Sequence, residues 1–110
     1  MMEVSDLAYM ALTEAVYYIL ISLLQPMHGY GIMQNVEELS KGRVKLAAGT
    51  LYGALNTLLE RGWIMELPAT YNTRKKEYLI TDYGKRALKL EYARLQELVA
   101  NGKMFVEGDK

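Results

Sequence analysis

Two short amphipathic helical patterns, joined by a tight polar and basic link, restrict the fold more than any other part of the sequence. The first covers about residues 28–39, is stopped by Gly42, and has an apolar face formed by Ile32, Val36 and Leu39. The second begins near Ala47, ends at Gly62, and carries a leucine stripe formed by Leu51, Leu55, Leu58 and Leu59. Two short helices with this tight connection are what a helix-turn-helix requires.

A strongly apolar helix is predicted ahead of this pair. Thr13 and Glu14 offer an N-cap and an acidic first turn, and Pro26 ends the segment. Its side chains are apolar on nearly every side: Val16, Tyr17, Tyr18, Ile19, Leu20, Ile21, Leu23 and Leu24. Such a helix must be buried on more than one side, which in a chain of 110 residues indicates a subunit interface.

Two strand patterns and a last helix follow the helical pair. The strands cover Trp63–Leu67 and Glu77–Ile80, and the segment between them ends with the basic residues Arg74, Lys75 and Lys76. This pattern predicts a hairpin with a basic tip. Thr81 caps a final helix of about five turns, in which Leu88, Tyr92, Leu95 and Val99 recur at near-heptad spacing. An exposed helix with such a stripe needs a partner.

These elements predict a single domain over residues 1–110, mainly α with a small β-hairpin. The winged helix-turn-helix part covers residues 13–81, and a C-terminal dimerisation helix covers residues 82–101. Residues 1–12 and 102–110 are expected to be loose ends.

Composition excludes several classes of function. The chain has no cysteine and a single histidine, His28, so no metal site or cofactor is expected and a reducing, cytoplasmic compartment fits. Glu3 and Asp6 precede the first apolar stretch, unlike a secretion signal, and the longest apolar run is too short to span a membrane. No nucleophile pattern surrounds His28, so it is interpreted as a helix-start residue and no catalytic site is expected.

Charge is distributed unevenly along a chain whose net charge is zero. Between Lys41 and Lys76 there are seven basic and two acidic residues, a local charge of +5, and the remainder carries −5. A basic centre between acidic ends indicates a face that meets an anionic partner, although charges of this kind also occur on ordinary solvated surfaces.

Four short words occur in order along the chain: LTEA at residues 12–15, MHGYGI at 27–32, GTLYGAL at 49–55 and YLITDYG at 78–84. Together they resemble the PadR family of transcriptional regulators, in particular its short branch with one C-terminal helix. The resemblance implies a third helix in the major groove of double-stranded DNA, a wing on the adjacent backbone, and a homodimer formed by the first and last helices. Some family members are repressors that bind aromatic or planar effectors at the dimer interface, so a repressor of this kind is expected.

The expected DNA-binding residues lie off the leucine stripe or in the basic segments. Asn56 is the best candidate for reading a base, because its amide can pair with adenine through two hydrogen bonds. The full DNA-binding set is Lys41, Arg43, Lys45, Thr50, Tyr52, Asn56, Thr57, Arg74, Lys75 and Lys76. The expected dimer interface consists of Val16, Tyr17, Ile21, Leu88, Tyr92, Leu95 and Val99. Trp63 is interpreted as a core residue.

Two other functions are consistent with the sequence. One is a winged-helix protein-interaction module that never meets DNA, which the zero net charge keeps open. The other is a DNA-binding protein that has no effector. A mobility-shift measurement at two salt concentrations distinguishes the interaction module from a DNA-binding protein, since binding to phosphates depends steeply on salt.

Overall fold

The computed structural model describes residues 11–69 and 75–108. In these ranges the chain forms four helices and a small three-stranded sheet. The helices are α1 (Glu14–Ser22), α2 (Gly29–Leu39), α3 (Ala48–Glu60) and α4 (Asp82–Val106), and the strands are β1 (Met27–His28), β2 (Ile64–Leu67) and β3 (Glu77–Ile80). The mainly helical fold class predicted from the sequence is confirmed.

Helix α1 begins as predicted and is fastened to α2 by buried polar groups. The Thr13 hydroxyl accepts a hydrogen bond from the Val16 N–H at 3.1 Å, which satisfies one of the free donors at the helix start. Near the other end, the buried Ser22 hydroxyl donates to the Tyr18 carbonyl and accepts from the Asn35 amide, both at 2.8 Å. The two helices are therefore held in register by a satisfied polar link as well as by apolar contact.

The link between α2 and α3 is tight because two consecutive residues adopt left-handed backbone angles. Lys41 has φ of 54° and Gly42 has φ of 84°, so the chain reverses directly after α2. Leu39, predicted on the core face, is instead 41% exposed, because it lies in the last turn of α2, immediately before the reversal. The predicted face is correct for Ile32 and Val36, which are fully buried.

The sheet has three strands, not the two of the predicted hairpin. Strand β3 lies in the centre, antiparallel to β2 on one side and to the two-residue β1 on the other. Met27 pairs with Tyr78 and His28 with Glu77, which ties the start of α2 to the base of the wing. A strand of two residues has no alternation that a sequence pattern could reveal.

The core lies between the three N-terminal helices, the sheet and the start of α4. Trp63 is 1% exposed, which confirms its interpretation as a core residue. The remaining buried apolar side chains are Ile19, Leu20, Leu23, Ile32, Val36, Leu51, Leu55, Leu58, Ile64, Tyr78, Ile80 and Ala87. Burial of an aliphatic or aromatic side chain of this size contributes about 1.5 to 3 kcal/mol, so this cluster is the main source of stability.

Helix α4 begins at its predicted cap and extends further than predicted. The Thr81 hydroxyl accepts from the Gly84 N–H at 3.0 Å and donates to the Gly62 carbonyl at 2.7 Å. The helix continues past the predicted end at residue 101 to Val106, and Gly108, with φ of 74°, follows its C-cap. Residues 102–106 are therefore helical, not a loose end. Gly102 lies within the helix with ordinary helical geometry and does not end it.

A buried carboxylate joins α4 to the segment before α1. Glu91 is 4% exposed and accepts hydrogen bonds from Arg94 at 2.7 Å and from the Leu12 N–H at 3.2 Å. The hydrogen bonds from Arg94 hold the pKa of the Glu91 carboxyl below its usual value, against the opposing effect of burial. The charged form is therefore stabilised by folding, and this stabilisation is lost as the pH falls through the lowered pKa.

Replacement of Gly84 by alanine is expected to lower the free energy of unfolding by about 1 to 3 kcal/mol, because the site has no room for a side chain. A Cβ at this position would overlap the Trp63 carbonyl oxygen and lie 2.9 Å from its carbonyl carbon. Gly53→Ala is the matched control: it also lies within a helix, but nothing is within 4 Å of its Cβ position.

The control should raise the free energy of unfolding by about 0.5 to 1 kcal/mol, the usual gain for alanine over glycine in a helix. Thermal or urea unfolding of both variants at one protein concentration measures the difference. Equal effects of the two substitutions would contradict the packing described at Gly84.

Candidate nucleic-acid interface

Helix α3 has one buried and one exposed face. Leu51, Leu55 and Leu58 are at most 2% exposed, and Leu59 packs partly against the same core. The exposed face carries Thr50, Tyr52, Gly53, Asn56 and Thr57, as the leucine stripe predicted. This face can present donors and acceptors to the edges of bases in a major groove.

The polar groups of this face differ in how free they are to bind. The Thr57 hydroxyl donates to the Gly53 carbonyl of its own helix at 3.2 Å, so part of its capacity is used internally. Within the described part of the chain, the Asn56 amide makes no hydrogen bond. Asn56 therefore keeps both its donor and its acceptor available to a partner.

The basic link before α3 contributes two exposed lysines and one arginine that forms an ion pair. Lys41 and Lys45 are exposed. The Arg43 guanidinium donates to one Glu14 carboxylate oxygen from Nε at 2.9 Å and from a terminal nitrogen at 2.6 Å. These hydrogen bonds hold the pKa of the Glu14 carboxyl below its usual value. Arg43 must leave this pair, or share it, in order to contact a phosphate.

The wing places two predicted lysines beside α3. Lys75 and Lys76 are exposed and come directly before β3 in the chain. The Lys76 ammonium lies 3.3 Å from a Glu66 carboxylate oxygen, and both side chains are largely exposed, so this pair is weak. Arg74, the third predicted basic residue of the tip, lies outside the described residues.

A second surface, on α4, is apolar. Tyr17 of α1 and Tyr92, Leu95 and Val99 of α4 line one shallow groove of about 470 Å³. Tyr92 is 55% exposed and Val99 71%, and Phe105 and Val106 near the end of the helix are also exposed. Several large apolar side chains exposed on one helix are typical of a protein–protein interface.

The other three predicted interface residues are less exposed and do not line this groove. Val16 and Leu88 pack partly against the core of their own protomer, and Ile21 is half-buried. Val16 also lines a separate cavity of about 250 Å³ between α1 and α3. The four residues that share the α4 groove are therefore better placed for a partner than these three.

The surface at the start of α2 is not apparent from the sequence. His28 begins this helix as predicted, and its ring nitrogen Nδ1 accepts a hydrogen bond from the Gly31 N–H at 3.1 Å. Its pairing in β1, however, also brings His28 and Tyr30 next to the wing lysines, where they line a common cleft with Tyr52. The contact depends on β1, and a strand of two residues is too short to be recognised from the sequence.

Comparison with known proteins identifies the family. Residues 18–90 match the Transcriptional regulator PadR-like family, and these residues make up well over half of the chain. The chain belongs to the PadR family. It is therefore a transcriptional regulator of a DNA-binding family and not an enzyme. No protein of curated function matches the sequence.

Solved structures of PadR regulators share the fold. A PadR family transcriptional regulator from Eggerthella lenta DSM 2243 is 25% identical, with a TM-score of 0.67 over 84% of this chain and 82% of that chain. A PadR family regulator from Clostridium difficile R20291 is 21% identical, with a TM-score of 0.68 over 83% and 97% of the two chains. A PadR-like regulator from Bacillus cereus is 19% identical, with a TM-score of 0.70 over 87% and 92%.

Among the described residues, no helix combines the length and the apolar character that crossing a membrane requires. The long helix α4 is instead amphipathic, with charged residues such as Lys89, Arg94 and Glu97 between its apolar ones.

Proposed function

We propose that this PadR-family protein is a sequence-specific repressor that acts as a homodimer in the cytoplasm. The observation that supports it most is the division of α3 into a buried leucine face and an exposed polar face. That face carries Asn56, and its Tyr52 shares a cleft with the wing lysines. A helix of this kind can enter a major groove while the lysines neutralise backbone phosphates.

The homodimer is supported by the apolar groove between α1 and α4. A second copy of the chain would cover Tyr92, Leu95 and Val99, which are otherwise left in water. Two copies related by a two-fold axis present two α3 helices, so the operator should be an inverted repeat. Its half-site centres should be about 10 base pairs, or a multiple of that, apart.

The repressor role and the release by a small aromatic or planar effector follow from the resemblance to PadR repressors. Two tyrosines, Tyr17 and Tyr92, lie in the groove that the dimer would close, and aromatic rings suit a planar ligand. Burial raises the pKa of the Tyr17 phenol, so its hydroxyl stays protonated and can donate a hydrogen bond. These two tyrosines support an effector site at the proposed dimer interface.

Selection of bound duplexes from a random DNA pool tests this function. The expected product is a set of related inverted repeats, because two identical reading helices bind two identical half-sites. An unselective pool after several rounds would refute sequence-specific binding. Planar aromatic compounds are then added to the complex with the selected duplex, and release of the DNA identifies the effector class.

Replacement of Glu14 by glutamine is expected to raise the affinity for every duplex about two- to five-fold. Loss of the charge frees Arg43 from an exposed and therefore weak ion pair, and makes its guanidinium available to a phosphate. The slope of log affinity against log salt should become steeper by about one for each Arg43 recruited.

Glu97→Gln serves as the control for this substitution, since it removes the same charge from an exposed position on α4. It should leave the slope unchanged. If both variants gain the same affinity with the same slope, the gain comes from net charge alone and Arg43 is not a phosphate contact.

A further inference from the structure

A cleft of about 410 Å³ lies between the start of α2, the first turns of α3 and the base of the wing. None of the residues that line it is acidic, and two are lysines. They are His28, Gly29, Tyr30, Tyr52, Lys75, Lys76 and Tyr78. Lys76 is paired with Glu66, which does not line the cleft, so the positive charge that the cleft offers to an anion comes mainly from Lys75. Several other lining groups can donate hydrogen bonds.

The tip of Tyr52 points into this cleft because residue 29 has no side chain. A Cβ at Gly29 would lie 2.9 Å from the Tyr52 Cζ and closer still to its hydroxyl oxygen. Tyr52 belongs to the exposed face of α3 by its position in the helix, yet its hydroxyl lies against the backbone of α2. Asn56, four positions later, lies on the same exposed face of α3.

Three other side chains of the cleft can also donate hydrogen bonds. Because the His28 Nδ1 accepts from the Gly31 N–H, the proton of the neutral ring is on Nε2. The Tyr30 hydroxyl accepts from the Gln34 side-chain amide at 3.2 Å, so its own proton remains for another acceptor. Burial raises the pKa of the Tyr78 phenol, which stays protonated.

Donors of this kind around a positive cleft suit an anion with several acceptor oxygens. A phosphodiester has two free oxygens and one charge, whereas the edge of a base offers a flat pattern of both donors and acceptors. The cleft separates α3 from the wing, and a duplex contacted by both elements would pass its backbone across this point.

We propose that the cleft binds one phosphate of the DNA backbone, with the Tyr52 hydroxyl as donor and Lys75 as counter-charge. Tyr52 then fixes the position of α3 in the groove and does not read a base. This inference rests on the proposed DNA binding, and it assigns to the phosphate contacts a residue that the sequence placed with the base-reading face.

The test compares Tyr52→Phe with the parent protein on the selected duplex and on a scrambled one. The substitution removes one oxygen, and a thermal melt verifies that the fold is kept. Affinity should fall about three- to ten-fold on both duplexes alike, because a phosphate is present in every sequence. The salt slope should stay constant, since the hydroxyl is uncharged, whereas Lys75→Ala should reduce it by about one per subunit.

Tyr83→Phe is the control, because this tyrosine lies on α4 and does not line the cleft. It should bind both duplexes like the parent. A loss confined to the selected duplex would overturn the proposal by making Tyr52 a base reader, and an unchanged affinity on both would overturn it by removing the cleft from the interface. Failure of the parent to bind any duplex would refute the proposed function itself.

Discussion

The double variant Leu95→Asp, Val99→Asp is expected to be monomeric and to bind the operator at least about 100-fold more weakly than the parent. Both side chains line the apolar groove of α4. A carboxylate left buried without a partner costs about 3 to 5 kcal/mol. The dimer would bury four carboxylates, and Lys103 is the one basic side chain among the groove-lining residues of each copy. Loss of the dimer removes the second half-site contact, which usually contributes a factor of about 100 to 10,000 in affinity.

Sedimentation or light scattering over a range of concentrations measures the subunit association, and circular dichroism measures the helix content. Leu39→Asp is the control, because it adds the same charge at an exposed leucine on α2, away from the groove. It should remain dimeric. Persistence of the dimer in the double variant at the concentrations where the parent is dimeric would exclude this groove as the interface.

Replacement of Asn56 by alanine is expected to reduce affinity for the operator by about 1 to 3 kcal/mol per half-site, if its amide forms two hydrogen bonds to one base. Affinity for scrambled DNA should stay the same. The melting temperature should change little, because the side chain is exposed and surface substitutions usually stay within about 0.5 kcal/mol.

Asn101→Ala is the matched control for Asn56, since it removes an exposed amide from a helix far along α4. It should bind both duplexes like the parent. If Asn56→Ala loses the same affinity on operator and scrambled DNA, Asn56 contacts the backbone, and Thr50 becomes the candidate for base reading.

The sequence was sufficient to predict the long elements, because their signals are local. Thr13 and Thr81 mark helix starts through a side chain that caps its own helix three residues on. Gly42 and Gly62 mark helix ends through left-handed backbone angles of 84° and 75°. The leucine stripe of α3 repeats often enough to define a face.

The features that escaped prediction depend on contacts between distant residues. Strand β1 exists because Met27 and His28 pair with the wing, and two residues carry no period of their own. The Arg43–Glu14 pair joins residues 29 positions apart. The placement of Tyr52 depends on the missing side chain at Gly29, which no spacing within α3 reveals.

For the candidate site, too, local features were predictable from the sequence and contacts between distant residues were not. Which residues of α3 face outward follows from helical periodicity, so the exposed set was correct. Periodicity does not reveal which of these residues can bind a partner, because the Thr57 hydroxyl is bonded within its own helix and the Tyr52 hydroxyl lies against α2. Assignment of the exposed α3 residues to base contacts or phosphate contacts therefore depends on both the structure and the binding measurements.

Titration of a labelled duplex at about 50 mM and about 200 mM salt is the decisive measurement of DNA binding. The selected inverted repeat and a scrambled duplex of the same length are compared. We expect the protein to bind both at low salt and to lose affinity for both steeply as salt rises, with an affinity for the inverted repeat at least about 1,000-fold above that for the scrambled duplex. Absence of salt-dependent binding to either duplex at the lower concentration would contradict this expectation and favour a protein-interaction module.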